Sequence, residues 1–126
     1  ALALGDFTGD GHPDMVTTID EVPRVVVLTN DGTGQFSPGG APLTTARSTW
    51  GVRVADFDGD GALDFVTGGS SVSLGRGDGS FGEPIAVDAD CSAPYVAVGD
   101  FDDDGRPDLV CSSYGDGTVQ VLLNRR

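Results

Sequence analysis

The chain has 126 residues, enough for one domain with a modest core. Apolar content of 38%, 20 glycines and seven prolines argue against long helices and for many short strands joined by turns. A net charge of −13, with seven scattered arginines and no lysine, excludes a nucleic-acid surface, and no apolar run approaches the ~20 residues of a membrane span.

The first stretch, ALALG (1–5), alternates: Leu2 and Leu4 fall on one face of a strand and Ala3 on the other. The acidic loop DFTGDGHPD (6–14) follows, then a second strand, MVTTI (15–19), and a third, VVVLTN (25–30). The glycine-rich turn NDGTGQF leads into a fourth strand beginning at Phe36. The series then repeats. GVRVA carries Val52 and Val54 opposite Arg53, before DFDGDGALD (56–64), FVTGG, SVSLG and the turn GRGDGSF. In these turns Gly32 aligns with Gly77, Gly34 with Gly79 and Phe36 with Phe81. A third round has YVAVG, with Val96 and Val98 opposite Ala97, then DFDDDGRPD (100–108), LVCSS and VQVLLN. It stops where Asn124 aligns with Asn30, so it lacks the turn and the fourth strand.

The unit is four antiparallel strands in 44 to 50 residues, the length and strand count of a β-propeller blade. The expected fold is all-β: one domain of three blades, at about 1–50, 51–94 and 95–126, the last incomplete. No signal peptide is visible, and the numbering is compatible with a start after processing.

Twelve of the 18 aspartates lie in the three acidic loops. The shared pattern puts oxygen side chains at loop positions 1, 3, 5 and 9: Asp6, Thr8, Asp10 and Asp14; Asp56, Asp58, Asp60 and Asp64; Asp100, Asp102, Asp104 and Asp108. Position 7 can add a backbone carbonyl, from His12, Ala62 or Arg106. Glycine at position 6 (Gly11, Gly61, Gly105) permits the positive φ of a tight curl. Two carboxylates ~4 Å apart repel by about 4 kcal/mol at an effective dielectric near 20, and a divalent cation converts that repulsion into coordination. An all-oxygen set suits Ca²⁺, which takes six to eight oxygens; Mg²⁺, with its strict octahedron and retained waters, suits it less. Up to three Ca²⁺ ions are expected, one per loop. The first loop should bind most weakly, because Thr8 replaces a carboxylate. An EF-hand is excluded: it needs Glu at position 12, where this chain has Thr17, Thr67 and Cys111, and helical flanks. The plain alternative is three solvated Asp-Gly turns, which three in-register copies ending in Asp make the weaker reading.

The three loops, the alternating strands before them and the NDGTGQF and GRGDGSF turns together resemble the FG-GAP/VCBS repeat family of integrin-α-like, calcium-binding propeller blades. In that family the loop joins the first two strands of a blade and holds Ca²⁺ through the positions given above. Thr8, the additional Asp103 and the unfinished third repeat depart from the pattern. The resemblance implies more blades than three, and hence completion by further blades, by copies of the chain, or by other chains.

The remaining residues have modest expectations. Phe7, Phe57 and Phe101, at loop position 2, are expected to plug the core beneath each loop. Trp50 and Tyr95, where new blades begin, are assigned to inter-blade packing ahead of stacking on a sugar. Arg76-Gly77-Asp78 is explained by the repeat's own turn, since Asp31-Gly32-Thr33 aligns with it. Cys91 and Cys111 can pair or remain thiols. His12 is the only histidine, and no nucleophile or base stands beside it in sequence, so no catalytic residue is expected. The leading functional expectation is a non-enzymatic, calcium-binding segment, extracellular or at the cell surface, that binds a protein or glycan. A propeller lectin and an accessory segment of a polysaccharide-acting enzyme are the alternatives.

Overall fold

The structure is a computed structural model describing residues 1–19, 21–45, 50–68, 71–87, 95–113 and 115–125. Three antiparallel sheets follow one another along the chain. The first contains β1 (Leu2–Gly5), β2 (Asp14–Ile19), β3 (Arg24–Asn30) and β4 (Phe36–Pro38) in that order, with β5 (Leu43–Thr44) also paired to β3. The second contains β6 (Val52–Ala55), β7 (Asp64–Thr67), β8 (Ser71–Ser73) and β9 (Ile85–Ala86). The third has three strands, β10 (Val96–Gly99), β11 (Asp108–Ser112) and β12 (Val119–Leu122). Leu2 lies opposite Thr17, Val52 opposite Thr67 and Val96 opposite Cys111, so the three sheets share one register. The repeat read from the sequence is therefore a repeat of structure, and among the described residues the third sheet has no outer strand.

The outer strand is interrupted in both sheets that have it. Between the Leu28/Pro38 and Val25/Leu43 pairs, three steps along β3 face five on the other side. Between Gly75/Phe81 and Val72/Ile85, three steps face four. Pro38, Pro42 and Pro84 lie in or beside these breaks, and proline has no N–H to give a ladder. Gly39 N and Gly82 N recover part of the pairing by donating to Val27 O and Leu74 O at 2.9 and 2.8 Å.

Each sheet packs face to face on the next, with β1, β6 and β10 side by side in series. Alternation decides which side chains meet. One face of the first blade (Ala3, Val16, Val25, Val27) meets the facing side of the second (Val52, Val54, Phe65, Phe81). The other face of the second blade (Ala55, Val66, Val72) meets Val96, Val98, Leu109 and Leu122 of the third. These two thin cores are separate clusters, as expected of stacked sheets.

The loop phenylalanines belong to these junctions. Phe7 reaches forward to Phe81, their rings 5.3 Å apart and nearly perpendicular, and Phe81 also packs on Phe65 at 4.9 Å. Phe57 is buried in the second junction. Phe101 breaks the expectation of three equivalent plugs: it is 50% exposed. The physical reason is that in the first two blades this side chain packs at the junction with the following blade, and among the described residues none lies against Phe101 in that way. Trp50 and Tyr95 also depart from the expected inter-blade packing, being 63% and 70% exposed. Cys111 is disulfide-bonded; Cys91 lies outside the described residues.

At Asp64's third-strand partner the chain has Gly75, where the first and third blades have Asn30 and Asn124. A Cβ on Gly75 would overlap the Leu63 carbonyl, which is backbone and cannot swing aside. Gly75→Ala should therefore destabilise by about 1–3 kcal/mol in denaturant unfolding. Gly40→Ala, at an exposed position with no atom near the added carbon, should stay within about 0.5 kcal/mol. Equal effects at the two positions would contradict the close approach.

Candidate metal centre

Each acidic loop connects the first and second strands of its blade, and its last aspartate opens the second strand. Asp14, Asp64 and Asp108 are fully buried. A buried carboxylate needs hydrogen bonds to both oxygens. One oxygen accepts from the backbone N–H of the loop phenylalanine: Phe7 at 2.8 Å, Phe57 at 2.7 Å and Phe101 at 2.8 Å. The other accepts from the end of the third strand: Asn30 N at 2.9 Å, Gly75 N at 2.7 Å and Asn124 N at 2.7 Å. This residue thus clamps loop, second strand and third strand together before any ion is considered. The N–H donors at Asn30, Gly75 and Asn124 were not singled out from sequence, although the aligned Asn30 and Asn124 carried the signal.

The first aspartate organises the curl. Asp6 accepts from Gly9 N at 2.7 Å, Asp10 N at 3.1 Å and Gly11 N at 2.9 Å; Asp56 accepts from Gly59 N and Gly61 N at 2.7 and 2.9 Å. Asp100 accepts from Asp104 N at 3.1 Å and Gly105 N at 2.8 Å. These amides lower the pKa of Asp6, the Gly11 N–H most, with Gly9, Asp10 and the Thr8 side chain adding to it against some desolvation. The expected positive φ is present at Gly11, Gly61 and Gly105, at 85°, 90° and 83°. Position 4 needs it as well: Gly9 and Gly59 have φ of 73° and 78°, and Asp103 adopts 59° in their place. Aspartate is among the few non-glycine residues that enter this region readily.

The predicted ligands converge in part. In the second loop Asp56, Asp58 and Asp64 bring one carboxylate oxygen each within 4.8 Å of one another, and in the third Asp100, Asp102 and Asp108 do the same. Oxygens on opposite sides of one Ca²⁺ lie about 4.6–5.2 Å apart, so the spacing fits a single hard cation. The position-5 aspartates stand outside these groups. Asp10, Asp60 and Asp104 instead accept from the N–H two residues on, at His12, Ala62 and Arg106, at 2.8, 2.7 and 2.9 Å. Asp104 is also paired with the Arg106 guanidinium, its Nε at 2.9 Å, and this hydrogen bond is the main reason its pKa is lowered. In the first loop Thr8 donates its hydroxyl weakly to Asp6 at 3.4 Å and supplies no charge.

Burial raises the pKa of Asp64, against the N–H groups of Gly75 and Phe57, and the charges of Asp58 and Asp56 push it the same way. A divalent cation between the three would reverse that balance by favouring the ionised form.

The following blade covers the loop before it. Gly79 N donates to Phe7 O at 2.9 Å, and Asn124 Nδ2 donates to Phe57 O at 2.6 Å. The Arg76-Gly77-Asp78 turn belongs to this cover. Its Asp78 carboxylate is folded back on Ser80, accepting from N at 2.9 Å and from Oγ at 2.6 Å. His12 lies over Gly32, where an added Cβ would come within 2.6 Å of its Nε2.

Between the second and third blades lies a cleft of ≈ 220 Å³ bordered by Phe57, Val72, Leu74, Ile85, Leu109 and Leu122. At the first junction the corresponding space beside Phe7 holds Phe81. Among the described residues no counterpart of Phe81 stands beside Phe57.

Comparison with known proteins agrees with this architecture. An FG-GAP-like repeat model matches residues 6–67, and an FG-GAP repeat model matches residues 96–122. No curated protein matches the chain. Among solved structures, the chain is similar to an Agrocybe aegerita lectin described for its specific recognition of non-reducing terminal N-acetylglucosamine. The TM-score is 0.65 at 28% identity, over 97% of this chain and 34% of the lectin. The chain thus spans about a third of that protein's length. With its three acidic loops in register on three propeller-type sheets, the chain belongs to the FG-GAP repeat family.

Proposed function

We propose that the chain is a non-enzymatic, calcium-stabilised propeller segment that serves as a binding module outside the cell. The observation that carries this reading is the convergence of three carboxylates at the second and third loops, on a frame the last aspartate has already fixed. The donors are all oxygens, which favours Ca²⁺ over softer metals. The Cys111 disulfide supports an oxidising, extracellular setting, where calcium is also abundant. Calcium supplies a charge that neutralises the loop; the chain supplies the carboxylates and holds them apart from the apolar junctions.

A glycan ligand is favoured by two observations. The similar lectin recognises a sugar, and Trp50 and Tyr95, just before the first strands of the second and third blades, are largely exposed. Aromatic faces stack on sugars, whereas the apolar cleft between the second and third blades offers little to hydroxyl groups. A glycan array should show binding that Trp50→Ala or Tyr95→Ala weakens at least tenfold; no bound glycan would leave a protein ligand as the function.

Melting with and without chelator tests the calcium reading. At millimolar Ca²⁺ and site affinities of ~10⁻⁴ M, each occupied site should add roughly 1.4 kcal/mol, and an unchanged midpoint would overturn the reading. The second and third loops should fill before the first, where Thr8 stands.

Two substitutions separate ligand from clamp. Asp58→Ala should abolish calcium's stabilising effect at the second loop and leave the chelated protein within about 0.5 kcal/mol of its parent. Asp64→Ala should destabilise even in chelator, by about 1–3 kcal/mol for each buried N–H it orphans, at Phe57 and Gly75. Indistinguishable behaviour of the two variants in chelator would refute the clamp.

A further inference from the structure

The three loops hold their position-5 aspartates by different means, and the side chain at position 7 makes the difference. In the first two loops one oxygen of Asp10 or Asp60 accepts from the N–H two residues on, and the other oxygen has no hydrogen-bond donor among the described residues. The position-7 residue there is His12, whose ring lies over Gly32 instead, or Ala62, which has no polar side chain. In the third loop it is Arg106. Asp104 Oδ1 accepts from Arg106 N at 2.9 Å, while Oδ2 accepts from Arg106 Nε at 2.9 Å and also from Nη2. The guanidinium thus occupies the very oxygen that the other two loops leave open, through the forked geometry that arginine offers a carboxylate.

The same guanidinium acts on the converging acids. Its hydrogen bond to Asp104 is the main reason its pKa is raised, and the charges of Asp102 and Asp108 add to the effect. Those two residues belong to the group of three carboxylates gathered at this loop. Arg106 therefore stands where a bound cation would act: it neutralises part of the loop and fixes one carboxylate away from the centre. Arg125 contributes more weakly to the potential at Asp104. The pair is partly exposed, 41% at Arg106 and 23% at Asp104, so water and salt screen it and its influence is moderate.

We infer that Arg106 is a built-in counter-cation that sets the calcium affinity of the third loop. Its guanidinium holds the Asp104 carboxylate when no ion is bound and competes with the ion for that carboxylate. A Ca²⁺ ion that recruits Asp104 has to displace the guanidinium, and one that does not recruit it binds with one carboxylate fewer. In either case the ion meets a neighbouring positive charge, which the second loop does not place at position 7. The inference rests on the calcium reading proposed above.

One amide in each loop can report on its own site. Gly11 N, Gly61 N and Gly105 N donate to the first aspartate of their loops at 2.9, 2.9 and 2.8 Å. Following their amide chemical shifts through a calcium titration gives one dissociation constant per loop. Arg106→Ala should tighten binding at Gly105 by about threefold to tenfold. It should leave the constant at Gly61 within about twofold, because the second loop is a separate site. Arg106→Lys keeps the charge without the fork and should fall between parent and Arg106→Ala. Added KCl should narrow the gap between parent and Arg106→Ala, as expected of a screened charge. Binding at Gly105 that Arg106→Ala leaves unchanged or weakens, or an equal change at Gly61, would overturn the inference while the calcium reading stands. Glycine signals that calcium moves in none of the three loops would overturn the calcium reading, and the inference with it.

Discussion

The structure depends on one buried carboxylate, used three times. Asp14, Asp64 and Asp108 each accept from the N–H of their loop phenylalanine, Asp14 also from that of Thr8, and each accepts a further N–H from the third-strand side of its own sheet. A buried carboxylate is costly unless its oxygens are hydrogen-bonded, and here backbone N–H groups reach both of them. The geometry that satisfies the backbone is the geometry that gathers the acids. Fold and candidate cation site therefore share one arrangement, in which the same residue ties loop curvature to strand register.

The junctions form a second level of order. The first two loops are each finished by the blade that follows, through a ring contact or a carbonyl cap. Stability in such an array comes from neighbours, as in other repeat architectures. Side chains with the same sequence role have different surroundings for this reason: Phe7 and Phe57 are buried, and Phe101 is not.

Much of this was legible in the sequence. Alternation at Leu2/Leu4, Val52/Val54 and Val96/Val98 marked the first strands, and the spacing of the acidic loops marked the blade count. The tight φ at Gly11, Gly61 and Gly105 followed from the pattern. What escaped were properties that a linear repeat does not encode. The exposure of Trp50, Tyr95 and Phe101 depends on what lies next in space. The split of the second and third loops into three converging aspartates and one turned onto its own backbone depends on competition between a backbone N–H and the centre of the loop. The hydrogen bond from Asn124 Nδ2 to Phe57 O joins residues far apart in the chain that no periodicity connects.

The broken outer strands have a consequence for solubility. A continuous strand at a sheet edge presents a ladder that another chain can copy. In the first two blades the outer strand is cut into short pieces, with Pro38, Pro42 and Pro84 denying donors at or beside the breaks. Templated growth from those edges is blocked by the backbone itself, without the lysines that many sheets use for the purpose.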